Sequence, residues 1–131
     1  VSGETNLDLL LANMRPELSS GAYAFCLIQE AELDQFPLAD IEVLVREKEG
    51  ITLVLAEAVA RRYDFDVANL YARITLQVHS SLEAVGLTAV VAARLADQGI
   101  SANVVAGCYH DHIYVAASDG PRAITALQAS A

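Results

Sequence analysis

No apolar run in this chain approaches the roughly 20 residues that a membrane span requires. The longest candidate, Ile51 to Ala60, is interrupted by Glu57. A basic-then-apolar leader is also missing, so the chain is expected to work in the cytoplasm with no membrane partner. Basic residues are scarce: 8 Lys and Arg stand against 17 Asp and Glu, for a formal net charge of −9. The excess sits in residues 1–66, which hold 13 of the acids and 5 of the bases, leaving 4 and 3 for the remainder. Such a surface repels phosphate backbones and anionic lipid heads. Arg61-Arg62 is too short a basic run, and there is no Lys/Arg cluster with interleaved aromatics, so no nucleic-acid partner is expected. Cysteine is limited to Cys26 and Cys108, too far apart in sequence to suggest a disulfide framework. Both lie in apolar, strand-like runs, where a free thiol behaves as a small hydrophobe.

What remains is a 131-residue chain of 54% hydrophobic composition, enough for one ordinary domain or two very small ones sharing a core. Thr5 and Asp8 have capping-box spacing, and Leu7, Leu10, Leu11 and Met14 fall on one helical face before Pro16. Tyr23 to Ile28 predicts a strand buried on both faces, and acidic Gln29 to Asp40 a loop or frayed helix. Ile41 to Val45 and Ile51 to Leu55, joined through Glu49-Gly50, predict a hairpin, and Glu57 to Tyr63 a helix. From Tyr71 to Val78 apolar and polar residues alternate, giving a strand with one face on a core. Leu87, Val90, Val91 and Leu95 recur at helical spacing, with Gly99 at the expected left-handed stop. Asn103 to Ala106 and Ile113 to Ala116 are strands joined by the tip Gly107 to His112, and Asp119-Gly120-Pro121 opens a last helix. The order is βαββα from Tyr71 and roughly β, loop, ββαβ from Tyr23. No Gly/Ser/Pro-rich linker separates these runs, which suggests two modules packed into one body rather than tethered.

The run from Ile74 to Val115, with the phrases VHSSLEAVGLTA and ISANVVAGCYHDHIYV, resembles the ACT domain. The likeness is to an uncharacterised bacterial tandem-ACT family and, more distantly, to aspartokinases and CASTOR-type arginine sensors; the first half resembles it in element order and in REKEGITLVL. The resemblance implies an α+β, ferredoxin-like (βαββαβ) fold in tandem, with an N-terminal ACT-like module at 1–66 and a C-terminal ACT module at 67–131. It also implies a small-molecule ligand, most simply an amino acid, held against the loop between first strand and first helix and the start of the next strand. Those positions are Val85, Gly86 and Leu87, faced by Asn103 and Val104, with Asp111 placed to meet a cationic group. The last helix ends the chain, so the second module lacks its own fourth strand, to be supplied by the first half, by another chain, or not at all. An open edge or an exposed sheet face at Tyr71 to Val78 would favour a homodimer.

Each candidate residue also has a plainer reading. Gly86 before a helix lets a carboxylate reach backbone N–H groups, or simply makes a tight turn. Asn103 in an apolar strand offers donors and an acceptor to a ligand, or to neighbouring backbone. His110-Asp111-His112, with His79, contains metal-ligand types, but without a further Cys/His cluster turn capping is the default and no metal is expected. His79, Ser80, Ser81 and Glu83 lack an orienting third residue and a Gly-x-Ser-x-Gly elbow, so helix-entry capping is preferred to a nucleophile. The expectation is a regulatory protein that binds an amino-acid-like molecule and answers to an enzyme or transporter partner. It is expected to be no enzyme and to carry no cofactor. A structural or interaction module without ligand is the alternative, and a metal-dependent enzyme using the His110–His112 tip ranks third.

Overall fold

In the computed structural model, which describes residues 2–128, the chain opens with helix α1 (Leu7–Ala12) and the short strand β1 (Pro16–Leu18). Strand β2 (Tyr23–Ile28) is followed by two 3-10 segments, the hairpin β3 (Val43–Arg46) and β4 (Ile51–Ala56), and helix α2 (Glu57–Arg62). Then come β5 (Tyr71–Leu76), α3 (Leu87–Asp97), β6 (Asn103–Ala106), β7 (Asp111–Ala116) and α4 (Gly120–Gln128). The fold is mixed α+β with antiparallel strand pairing. Contacts divide it into two units, one of Val1–Ser20 with Ala72–Ala131, the other of Gly21–Tyr71.

In the first unit the strands are ordered β1-β5-β7-β6. The fourth strand missing from the local sequence pattern is β1, from the first half of the chain. It runs antiparallel to β5 with Pro16 opposite Leu76, Glu17 opposite Thr75 and Leu18 opposite Ile74. Pro16 costs the sheet nothing here: it opens the strand, and the amides that bond to β5 come from its neighbours, as Ser19 N–H donates to Arg73 O at 2.9 Å. Because β1 and β7 flank β5, the open edge expected beside this strand does not exist. The predicted alternation of β5 is observed: Ala72, Ile74 and Leu76 are buried, while the residues between them are half-buried.

On the buried face, Leu87, Val91 and Leu95 of α3 and Ala123, Ala126 and Leu127 of α4 cover the sheet, joined by Leu10 of α1. Each fully buried leucine or isoleucine contributes about 1.5–3 kcal/mol relative to exposure. Alanines at the α4 contact let the helix axis sit close to its neighbours. Gly99 (φ 71°) ends α3 in the left-handed conformation, as its position in the sequence predicts. Helix α1 is capped by Asn6, whose side chain accepts from Leu9 N–H at 3.1 Å, rather than by Thr5.

In the second unit the order is β3-β4-β2, with Tyr71 pairing Tyr23. Ala24, Cys26 and Ile28 enter a core with Leu53, Leu55, Phe36 and Ala60. Burial raises the Cys26 thiol pKa. The alternate residues Phe25 and Leu27 are 41% and 61% exposed, so β2 is not buried on both faces. Its all-apolar sequence conceals an ordinary period of two. The stretch read as loop or frayed helix forms the 3-10 segments Glu30–Gln35 and Leu38–Asp40. It is anchored by Phe36 against Tyr63 and Phe65, at ring separations of 4.6 and 5.9 Å.

Candidate functional site

The loop from Gln77 to Gly86, between β5 and α3, gathers the polar groups of the first unit. The 80s begin with a buried serine: Ser80 is 6% exposed and its hydroxyl donates to Asp111 Oδ2 at 3.1 Å. Asp111, at the start of β7, is thereby tied to the loop by a charge-assisted bond. The His79 ring lies tilted against Tyr109 with ring centroids 4.8 Å apart, and among the described residues its buried Nε2 has no hydrogen-bond partner. His110 Nδ1 lies 3.4 Å from Val78 O, and His112 Nδ1 lies 2.9 Å from Thr75 Oγ1. Burial lowers the His112 pKa, Arg73 and His110 lower it further, and Asp111 opposes them. The three residues of the His110–His112 tip therefore point to three different partners, and among the described residues no group of three His, Cys, Asp or Glu is placed to hold a metal ion.

The six predicted ligand positions do not converge on one open pocket. Leu87, Val104 and Asp111 are brought together, with Leu76, Val91 and Ile113, along a packed seam that has no room for a water molecule. Leu87 itself is 3% exposed and belongs to the core. Gly86 adjoins this seam as the residue before α3, at φ 102°, a conformation that side-chain-bearing residues rarely adopt. Val85 stands 82% exposed and Leu82 65%. Asn103 is exposed, and its side-chain N–H donates to Tyr114 O at 3.2 Å across the β6–β7 pair. The neighbouring-backbone reading of Asn103 is the one the geometry contains. Ser81 bonds Glu83 N–H at 3.1 Å, a turn within the loop, since α3 begins only at Leu87.

Sequence reasoning missed the N-terminal segment that lies on this loop. Glu4 and Ser80 form an isolated parallel bridge, with Glu4 N–H donating to His79 O and Ser81 N–H to Glu4 O, both at 2.9 Å. Gly3 makes the approach feasible, because a Cβ there would fall 2.7 Å from the Ser80 carbonyl carbon. Four residues after Gly3, Leu7 reaches Gly86: a Cβ on Gly86 would meet Leu7 Cδ2 at 3.0 Å. The space that the glycine leaves is thus bordered by a leucine of the same chain. Nothing in the local pattern around Leu7 signals this, because its helical periodicity accounts for it as a core-facing residue.

Comparison with known proteins fits both halves. An ACT domain model matches residues 2–72 and a second ACT domain model matches residues 72–129. A crystal structure of protein VC0802 from Vibrio cholerae, described as of unknown function and a possible transport protein, is 48% identical, with 95% of each chain covered and a TM-score of 0.84. Protein Atu0741 from Agobacterium tumefaciens shares the fold at 16% identity, TM-score 0.65, over 86% of this chain and 84% of that one. The search of curated proteins yields no match. ACT domains are in general small-molecule-binding regulatory modules, and among the described residues no helix is long and apolar enough to cross a membrane. With matches over both halves and a 48% identical relative along nearly its whole length, the chain belongs to the ACT-domain family as a tandem of two ACT modules.

Proposed function

We propose that the chain is a non-catalytic, cytoplasmic regulatory protein that binds an amino-acid-like molecule at the β5–α3 loop of its C-terminal module. In sequence the N-terminal module takes residues 1–66 and the C-terminal module residues 67–131. The observation that carries the reading is the loop itself. It sets a left-handed glycine at the entry of α3, an unsatisfied buried imidazole nitrogen on His79, and the Ser80–Asp111 pair on one short segment. An unpaired buried polar atom costs about 1–3 kcal/mol, which a ligand or water contact would recover. A ligand carboxylate would take the amides at the head of α3, where the dipole is positive, and Asp111 would receive the ammonium group. Val85, Leu87 and Val104 would contact its apolar part. Leu7 stands at the entrance, so binding requires it to turn aside.

Output to an enzyme or transporter partner would follow from different ligand affinities of two states of the protein. That the Vibrio relative is described as a possible transport protein agrees with a transporter partner. Pairing of two copies is supported by the outer face of the second unit's sheet, where Phe25, Leu27 and Val45 are 41%, 61% and 45% exposed. In the register, Leu27 and Val45 both lie opposite Thr52, placing them on one face.

A second reading, an interaction module without ligand, is favoured by the Leu7 contact at Gly86 and by the closed seam beneath it. A thermal-shift screen against each proteinogenic amino acid separates the two. Ligand at 100 times its Kd stabilises the fold by about 2.7 kcal/mol. A selective rise in Tm is the expected result, and a flat screen favours the interaction module.

A further inference from the structure

We propose that the cleft between the α1–β1 turn and the C-terminal ends of α3 and α4 is a second binding site, for a monocarboxylic acid with a short apolar body and no amino group. The inference does not rest on the amino-acid reading of the β5–α3 loop. The cleft has a volume of about 430 Å³ and is lined by Leu11, Met14, Arg15, Pro16, Arg94 and Leu127 among others. Pockets for small ligands run from roughly 300 to 1,000 Å³.

Its two guanidinium groups are exceptional in this molecule. Acids outnumber bases 17 to 8, and Arg46, Arg61, Arg62 and Arg122 each pair with a carboxylate, on Glu30, Glu57, Asp40 and Asp119. Among the described residues no carboxylate pairs with Arg15 or Arg94. Arg94, in the last turn of α3, donates through Nη1 to Leu127 O at 2.9 Å, which fixes its plane at the cleft and leaves its other donors available. Arg15 holds φ 47°, a left-handed conformation that residues with a side chain rarely adopt. Two guanidinium groups on one cleft, one of them on a strained backbone, suit the binding of an anion.

The walls decide which anion. Among the described residues none that lines the cleft is acidic, so the ammonium group of a zwitterion would face two cations with no counter-charge from them. Half-buried Leu11 and Pro16 offer hydrocarbon surface that inorganic phosphate would leave uncovered, with Met14 and Leu127 buried behind them. A carboxylate matches the guanidinium fork, and its apolar body matches the walls.

Met14, the single methionine of the chain, lines this cleft, so labelling methionine methyl groups for NMR gives one resonance in its wall. Hexanoate, titrated against the full chain, is expected to move that resonance saturably. Hexanol, norleucine (the same body with an amino group) and inorganic phosphate are each expected to bind about tenfold more weakly or worse. Arg15→Gln, at an exposed position, should weaken hexanoate by about tenfold with the unfolding midpoint unchanged. Arg94→Lys, which keeps the charge and loses the fork, should also weaken it. An unmoved methyl resonance, equal binding of hexanol, norleucine or phosphate, or parental affinity in Arg15→Gln would each overturn the proposal.

Discussion

His112 joins three physical effects at one imidazole. It is partly buried, it lies 2.9 Å from the Thr75 hydroxyl, and its pKa is lowered chiefly by burial, then by Arg73 and His110, against the pull of Asp111. A base whose folded pKa is depressed takes up its proton more readily when unfolded. Between that lowered value and the ordinary value of about 6.5 the unfolded state therefore holds more protons, and stability rises with pH. The protein should lose stability as pH falls from neutrality through the unfolded pKa, and His112→Gln should flatten that limb in urea titrations at several pH values. Gly86 was legible at this scale as a glycine before a helix. Its φ of 102° means that Gly86→Val, and to a lesser degree Gly86→Ala, strain the backbone as well as crowd the site. Leu7→Ala is thus the cleaner probe: it enlarges the entrance, should tighten ligand binding, and should cost about 1–3 kcal/mol of stability. Leu7 escaped the sequence reading because its partner is some eighty residues away, and a local pattern carries no information on such a contact.

Strand β1 is the element on which the first unit depends most. It is three residues long, begins with proline, and completes the sheet by pairing with β5. The longer elements were readable because their periodicity spans several turns or residue pairs: β2 and β6 have the predicted limits, and α3 starts at the predicted Leu87. Pro16–Leu18 is too short for any periodicity and earns its conformation from β5 alone. Helix α1 is bound into the same unit through Leu10, which is fully buried. Leu10→Ala should cost about 2–5 kcal/mol, measured by chemical denaturation. Removing residues 1–20 should do more: it strips the fourth strand and uncovers the core, so the truncated chain should lack a cooperative unfolding transition by circular dichroism. A truncated chain that unfolds like the parent would show β1 and α1 to be dispensable.

At the scale of the whole molecule, a tandem of ACT modules with an apolar outer sheet face on its second unit is expected to pair with a second copy. Sedimentation should give a dimer at micromolar concentration, and Leu27→Asp, which puts a charge at a 61% exposed position of that face, should give a monomer of unchanged secondary structure. Binding of an amino-acid-like ligand at the β5–α3 loop is read out by backbone amide NMR of the full chain with a saturating amino-acid mixture. A bound ligand should shift resonances at Val85 to Val90, at Asn103 and Val104, and at Asp111, with the His79 ring responding. Spectra unchanged by the mixture, or changes confined to residues away from that loop, would contradict it.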